Sequence, residues 1–173
     1  QVLLGVQHVH YCNVVHCDLK PDNFLLESTD PLHVRVCDFD VSLDNEERAT
    51  KSVTLSMTQS GLTPHYAAPE VQPPSLQRAS AASDVYSLGL VCTSVFFSDV
   101  VWEVGQPVRL PRPDEHTHSA EQVQLLPLLQ AWLQKDPEKR PTVMDILTHP
   151  FFSTSSLAQE QELKEKDKEL SVK

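Results

Sequence analysis

The chain opens on an apolar stretch, QVLLGVQHVHY, in which Val2, Leu3, Val6 and Val9 recur at helical spacing. That period predicts a helix running to about Tyr11. The segment that follows, HCDLKPDN, is polar and broken by Pro21, so it reads as a loop. Phe24-Leu25-Leu26 and His33-Val34-Arg35-Val36 are short apolar stretches either side of Ser28-Thr29-Asp30-Pro31, and they predict a small hairpin. Residues 38 to 70 are rich in Ser and Thr and have no period. A loop of that length inside a compact domain is usually functional.

Ser83 to Phe97 is apolar nearly all round, but it falls short of the ~18 to 20 apolar residues a bilayer needs. A buried core helix is the expectation. Residues 100 to 118 are irregular and Pro-rich. Glu121 to Leu133 places Val123, Leu126, Leu129, Trp132 and Leu133 in an amphipathic pattern that stops before Asp136-Pro137. Thr142 followed by Asp145 reads as a capping box that opens one more short helix. From Ser153 the composition turns to Glu and Lys, with Glu160–Lys164 and Glu162–Lys166 at helical spacing. No internal repeat is visible.

Composition narrows the classes. A chain of 173 residues is most simply one domain with a real core. Its net charge of -10 argues against nucleic acid, which is bound by surplus Lys and Arg, and equally against an anionic membrane surface. Cys12, Cys17, Cys37 and Cys92 show neither metal spacing nor a dense disulfide framework, which points to reduced thiols in the cytosol or nucleus. Gln1 starts inside an apolar helical pattern with no cap before it, so the chain reads as part of something longer.

The candidate chemistry is concentrated early. His16, Asp18, Lys20, Asp22 and Asn23 share one loop, and Asp38-Phe39-Asp40 follows the hairpin. His16-Cys17-Asp18-Leu19-Lys20-Pro21-Asp22-Asn23 resembles the H-R-D-L-K-P-x-N catalytic loop of protein kinases, and Asp38-Phe39-Asp40 resembles their D-F-G metal motif. Thr63-Pro64 and Ala68-Pro69-Glu70 resemble the run that ends in A-P-E. Asp84 to Gly89 matches D-x-x-S-x-G, and Arg140 matches the late arginine that pairs with the A-P-E glutamate. Each motif is weak singly. Together, in this order from Gln1 to Phe152, they are specific.

The resemblance implies an α+β protein-kinase-like fold. Residues 1–152 would form a mainly helical C-terminal lobe with a small β hairpin at the catalytic cleft, and 153–173 a charged tail. It implies a Ser/Thr rather than a Tyr kinase, because Lys20 stands two residues after Asp18. ATP and Mg²⁺ would be the cofactors, and a protein bearing Ser or Thr the substrate. Asp18 would act as proton acceptor, Lys20 as the cation near the transferred group, and Asn23 and Asp38 as metal ligands. Leu25 would floor the adenine pocket. His16, Phe39, Glu70, Asp84 and Arg140 would be structural supports. A metal reading of His8, His10, His16 and Cys12 is set aside, since His8 and His10 fall on different helix faces.

Departures from the family pattern are equally explicit. No Gly-rich loop, lysine-bearing strand or helix glutamate precedes the catalytic loop, so the missing N-terminal lobe, or other domains of a parent chain, becomes an expected partner. Cys17 replaces an arginine that answers an activation-loop phosphate in many kinases. Ser52, Thr54, Ser56, Thr58 and Ser60 are candidate modification sites. Asp40 replaces a glycine whose freedom a turn could need. The stretch from Asp99 to His118 is short for a substrate-docking helix. The alternative reading is a pseudokinase or lone-lobe scaffold.

Overall fold

The computed structural model describes residues 1–44, 64–72, 79–114 and 116–152. The candidate modification sites between Ser52 and Ser60, Thr63 and the charged tail lie outside the described residues. The first helix, α1 (Val2–Tyr11), buries Val6 and ends as the pattern predicts. Its stop is local: Asn13 turns left-handed at φ 59, and the Val14 N–H reaches back to the Val9 carbonyl at 3.1 Å. Asparagine is one of the few residues that tolerates this helix-closing conformation.

The hairpin is longer than the apolar pattern suggests. Strand β1 (Phe24–Thr29) pairs antiparallel with β2 (Leu32–Val36), so Ser28 and Thr29 belong to a strand rather than to the turn. The polar residues mislead because this short ribbon is half-exposed, and pairing does not require apolar side chains there. A bulge between Leu26 and Ser28 leaves Glu27 outside the register, where it accepts a hydrogen bond from Arg35 at 2.7 Å.

Helix α2 (Ala81–Phe96) is the buried core helix expected from Ser83 to Phe97. It lies between two apolar clusters. Val85 and Leu88 pack with Val6, Leu19, Leu126 and Trp132, while Tyr86 and Leu90 pack with Val15, Leu43, Ala68 and Val71. A helix with partners on both sides must be apolar all round, as the sequence is. Helix α3 (Ala120–Trp132) packs on it through Leu125, Leu126, Leu129 and Trp132. Leu125 joins the stripe, whereas Val123 is only half-buried. The last short helix, α4 (Val143–Thr148), opens on the expected capping box: the Asp145 N–H donates to Thr142 Oγ at 3.1 Å, and the Thr142 N–H donates to Asp145 Oδ2 at 2.9 Å.

One ion pair joins distant segments. Arg140 donates from Nη1 to Glu70 Oε1 at 2.6 Å and from Nη2 to Glu70 Oε2 at 2.8 Å. Its other donors reach the carbonyls of Gln134, Ala82 and Lys135 at 2.7, 2.8 and 3.2 Å, and its guanidinium lies 4.8 Å over the Tyr86 ring. Every N–H of the fork is therefore used, which a lysine could not reproduce. Both partners are buried. Arg140→Leu is expected to cost about 3–5 kcal/mol in chemical denaturation, because it strands a buried carboxylate. Adding Glu70→Gln should recover part of that loss. A cost near zero for Arg140→Leu would show that the pair does not hold these segments together.

Candidate active site

Strand pairing sets the geometry before any side chain does. Phe24 lies opposite Val36, and just beyond that pair the Cys37 N–H donates to the Asn23 carbonyl at 3.0 Å. The end of the HCDLKPDN loop is thereby fixed beside Asp38. On the other side, Val15 and Leu43 exchange two N–H···O bonds of 2.9 Å, which tie the residue before His16 to the segment after Asp40.

His16 braces this frame. It is fully buried, and its Nε2 donates to the Cys37 carbonyl at 2.9 Å. That bond places the proton on Nε2, so Nδ1 is the acceptor for the Asp18 N–H at 3.3 Å. The ring also packs on Phe39 with centroids 4.8 Å apart. Both ring nitrogens are occupied in joining the two loops, which agrees with a structural role and leaves neither nitrogen for a metal.

Behind His16 lies Asp84, in the first turn of α2 and 1% exposed. Its Oδ2 accepts the His16 N–H at 2.8 Å, and its Oδ1 accepts the Cys17 N–H at 3.0 Å. Cys17 sits at φ 70, a left-handed conformation that costs an ordinary L-residue roughly 1–2 kcal/mol. The carboxylate holds that strained turn in place. His10 completes the arrangement with Nε2 2.8 Å from Asp84 Oδ2. Sequence reasoning missed His10, because the two partners are 74 positions apart and no local spacing links them. His8 instead lies 3.8 Å from Cys12 Sγ on the exposed side, so the early His and Cys residues do not converge.

Asp18, Lys20 and Asn23 come together as expected. Lys20 Nζ donates to Asp18 Oδ2 at 2.6 Å, and Asn23 Nδ2 donates to the same oxygen at 3.2 Å and to the Asp18 carbonyl at 2.7 Å. Asp18 is 8% exposed, so these hydrogen bonds stand in for most of the water its carboxylate would otherwise have. The Lys20 pKa is raised above its ordinary 10.5, first by the hydrogen bond to Asp18 and then, against burial, by the charges of Asp18, Asp38 and Asp22. Lys20 is therefore a firm cation at neutral pH.

With its nitrogen committed to Asp18, Asn23 keeps an amide oxygen that has no protein partner among the described residues. The Asp38 carboxylate is exposed and likewise without a hydrogen bond or ion pair there. Two hard oxygen ligands suit Mg²⁺, which takes one or two protein groups and completes its shell with phosphate oxygens and water. No group of three or more His, Cys, Asp or Glu side chains able to hold a metal occurs among the described residues, in keeping with so sparse a site.

The concern over Asp40 resolves in the backbone. Asp38, at φ 65, takes the left-handed conformation, while Asp40 does not and is exposed. The turn therefore makes no demand for glycine at position 40. Leu25 lies on β1 opposite Arg35 and is 54% exposed, apart from the Asp18 cluster. Glu70 and Arg140 belong to the remote ion pair.

Two outcomes follow. His10→Phe keeps the ring volume but removes a donor to buried Asp84, and should lower unfolding free energy by about 1–3 kcal/mol; no change would mean Asp84 is satisfied without it. For Lys20 the folded pKa is raised, so its contribution is complete below pH 10.5 and is lost as pH rises through the folded value. The stability gap between wild type and Lys20→Met should stay flat through neutral pH and narrow only above about 10.5.

The protein kinase domain family model matches residues 1–152. Serine/threonine-protein kinase MPS1 of Encephalitozoon cuniculi is 30% identical over 158 residues, covering 88% of this chain and 26% of its own length. Serine/threonine-protein kinase TOS3 of Saccharomyces cerevisiae is 28% identical over 176 residues, covering 87% of this chain and 30% of its own length. The crystal structure of the Rad53 kinase domain and SCD2 in complex with AMPPNP superposes with a TM-score of 0.61 at 25% identity, over 88% of this chain and 56% of that one. The chain thus spans about a quarter to a half of the length of these relatives.

Proposed function

The chain belongs to the protein kinase family, and on that premise we propose that it carries the catalytic loop of a serine/threonine protein kinase. The reaction is transfer of the ATP γ-phosphate to a Ser or Thr hydroxyl of a protein. We assign residues 1–152 to the C-terminal lobe of the catalytic domain and 153–173 to a tail. The observation that carries this reading is the convergence of Asp18, Lys20 and Asn23 on one carboxylate oxygen, with Asp38 beside them across the hairpin.

Mg²⁺ held by Asn23 and Asp38 would supply charge neutralisation at the phosphates, and ATP the phosphoryl group. The chain's own residues do the rest. Asp18 orients the incoming hydroxyl and takes its proton as the oxygen bonds to phosphorus and the bond to the leaving phosphate breaks. Lys20 holds the Asp18 carboxylate in place through its hydrogen bond and offers positive charge to the group in transit. Asp84 and His16 fix the loop so that neither residue must reorganise during the reaction.

Leu25, Leu26 and Leu32 on the hairpin are each more than half exposed. Such a surface suits burial under another part of the protein, and we assign the cover of the nucleotide, with Leu25 as its floor, to the family's N-terminal lobe. Among the described residues no helix is long and apolar enough to cross a membrane; cytosolic or nuclear placement belongs to the proposal. The scaffold alternative draws little support from Asp40, which is exposed and outside the left-handed region.

The test uses the full-length protein. Asp18→Asn should lower kcat by about 10²–10⁴ while the protein stays folded. Asp38→Ala should abolish stabilisation by Mg-ATP in a thermal-shift assay that wild type shows. A folded Asp18→Asn enzyme with wild-type turnover would remove Asp18 from the role assigned here.

A further inference from the structure

A second set of unused polar groups lies away from the catalytic cluster. Gln72 is 8% exposed, and its Nε2 donates to the carbonyls of Ala67 and Pro64 at 2.5 and 3.2 Å. Those two acceptors fix the amide orientation, because an oxygen in that position would face two carbonyls. Oε1 therefore points the other way. It lies 3.8 Å from where a Cβ on Gly105 would stand, and it has no protein partner among the described residues. Gly105 itself is at φ 78, which disfavours a side chain there, so the approach to Oε1 stays open.

Gln72 and Gly105 line one cavity of about 130 Å³ together with Tyr86. Tyr86 is 6% exposed, and its hydroxyl makes no hydrogen bond among the described residues. Its pKa is raised, chiefly by burial, so the hydroxyl keeps its proton. The ring cannot turn away, because Arg140 lies over its face at 4.8 Å. Pro69, Pro107 and Leu133 supply apolar walls, and exposed Lys135 stands at the rim. None of these residues belongs to the Asp18 cluster or to the Asn23–Asp38 pair.

Two residues more than nine-tenths buried, whose amide oxygen and protonated hydroxyl make no hydrogen bond among the described residues, thus line a space with apolar walls. Neither polar atom is sealed from solvent, so both stay accessible to a ligand. An apolar cavity of about 150 Å³ accommodates a benzene ring. A hydroxyl is the smallest group that can donate to one oxygen and accept from another. We propose that this cavity is a binding site for a hydroxyl-bearing aromatic ring, a phenol, with the ring between Pro69, Pro107 and Leu133 and its hydroxyl between Gln72 Oε1 and Tyr86 Oη. A free small molecule and a tyrosine side chain both supply such a ring, and the chemistry recognised is the same.

Saturation-transfer NMR on the full-length protein, with p-cresol and toluene as probes, tests this. Wild type should bind p-cresol in preference to toluene. Tyr86→Phe removes a hydroxyl that no protein group uses, so folding is spared, and p-cresol binding should weaken roughly threefold to tenfold while toluene binding is unchanged. Pro107→Trp, which alters an exposed wall, should exclude both probes. A tripeptide Gly-Tyr-Gly that competes with p-cresol would assign the site to a protein partner, and one that does not would assign it to a free phenol. Absence of p-cresol binding at millimolar concentration, or a preference over toluene that survives Tyr86→Phe, overturns the proposal and leaves the cavity to water. Kinase activity does not enter these readouts, so failure here is distinct from failure of the catalytic assignment.

Discussion

Asp84 is buried where an isolated carboxylate would be strongly disfavoured, and three groups offset that cost: the N–H of His16, the N–H of Cys17 and His10 Nε2. The consequence runs toward the site. Because the carboxylate grips two successive backbone amides, Cys17 is held at φ 70, and the chain leaves that turn with Asp18 directed toward Lys20 and Asn23. His16 then carries the constraint on, joining the Asp18 N–H to the Cys37 carbonyl. Strain held by a rigid helix in this way is a usual mark of a site that must not reorganise.

The same helix organises the remote side. Tyr86 follows Asp84 by two positions on α2 and packs beneath Arg140, whose five donors are spent on Glu70 and three carbonyls. One buried helix therefore anchors the catalytic loop through a carboxylate and the segment ending at Gln72 through a stacked guanidinium. Its two apolar clusters explain why it is buried on every side. Substitutions on α2 should be felt at both places, since packed interiors transmit shifts rather than absorb them.

Within the catalytic cluster, polar groups divide into those satisfied by the protein and those left over. His16, Asp18 and Lys20 bond to one another or to the backbone, whereas Asn23 Oδ1 and the Asp38 carboxylate have no protein partner among the described residues. That division fits the proposed roles of support and ligand where residue type alone is silent, because Asp18, Asp38 and Asp84 are chemically alike.

Much of the fold was legible in the sequence for a physical reason: helix and strand periods, turn residues and caps act over a few positions. The helices at Val2–Tyr11, Ala81–Phe96 and Ala120–Trp132, the hairpin and the Thr142–Asp145 cap all follow from such short-range rules. Residue types in register identified Asp18, Lys20, Asn23 and Asp38 as candidates. Tertiary structure alone decided the rest. His10 meets Asp84 across 74 positions, Gln72 turns its oxygen toward Gly105, and the left-handed residue of the metal motif is Asp38 rather than Asp40. Each depends on a partner brought close by packing, and spacing along the chain carries no record of that proximity.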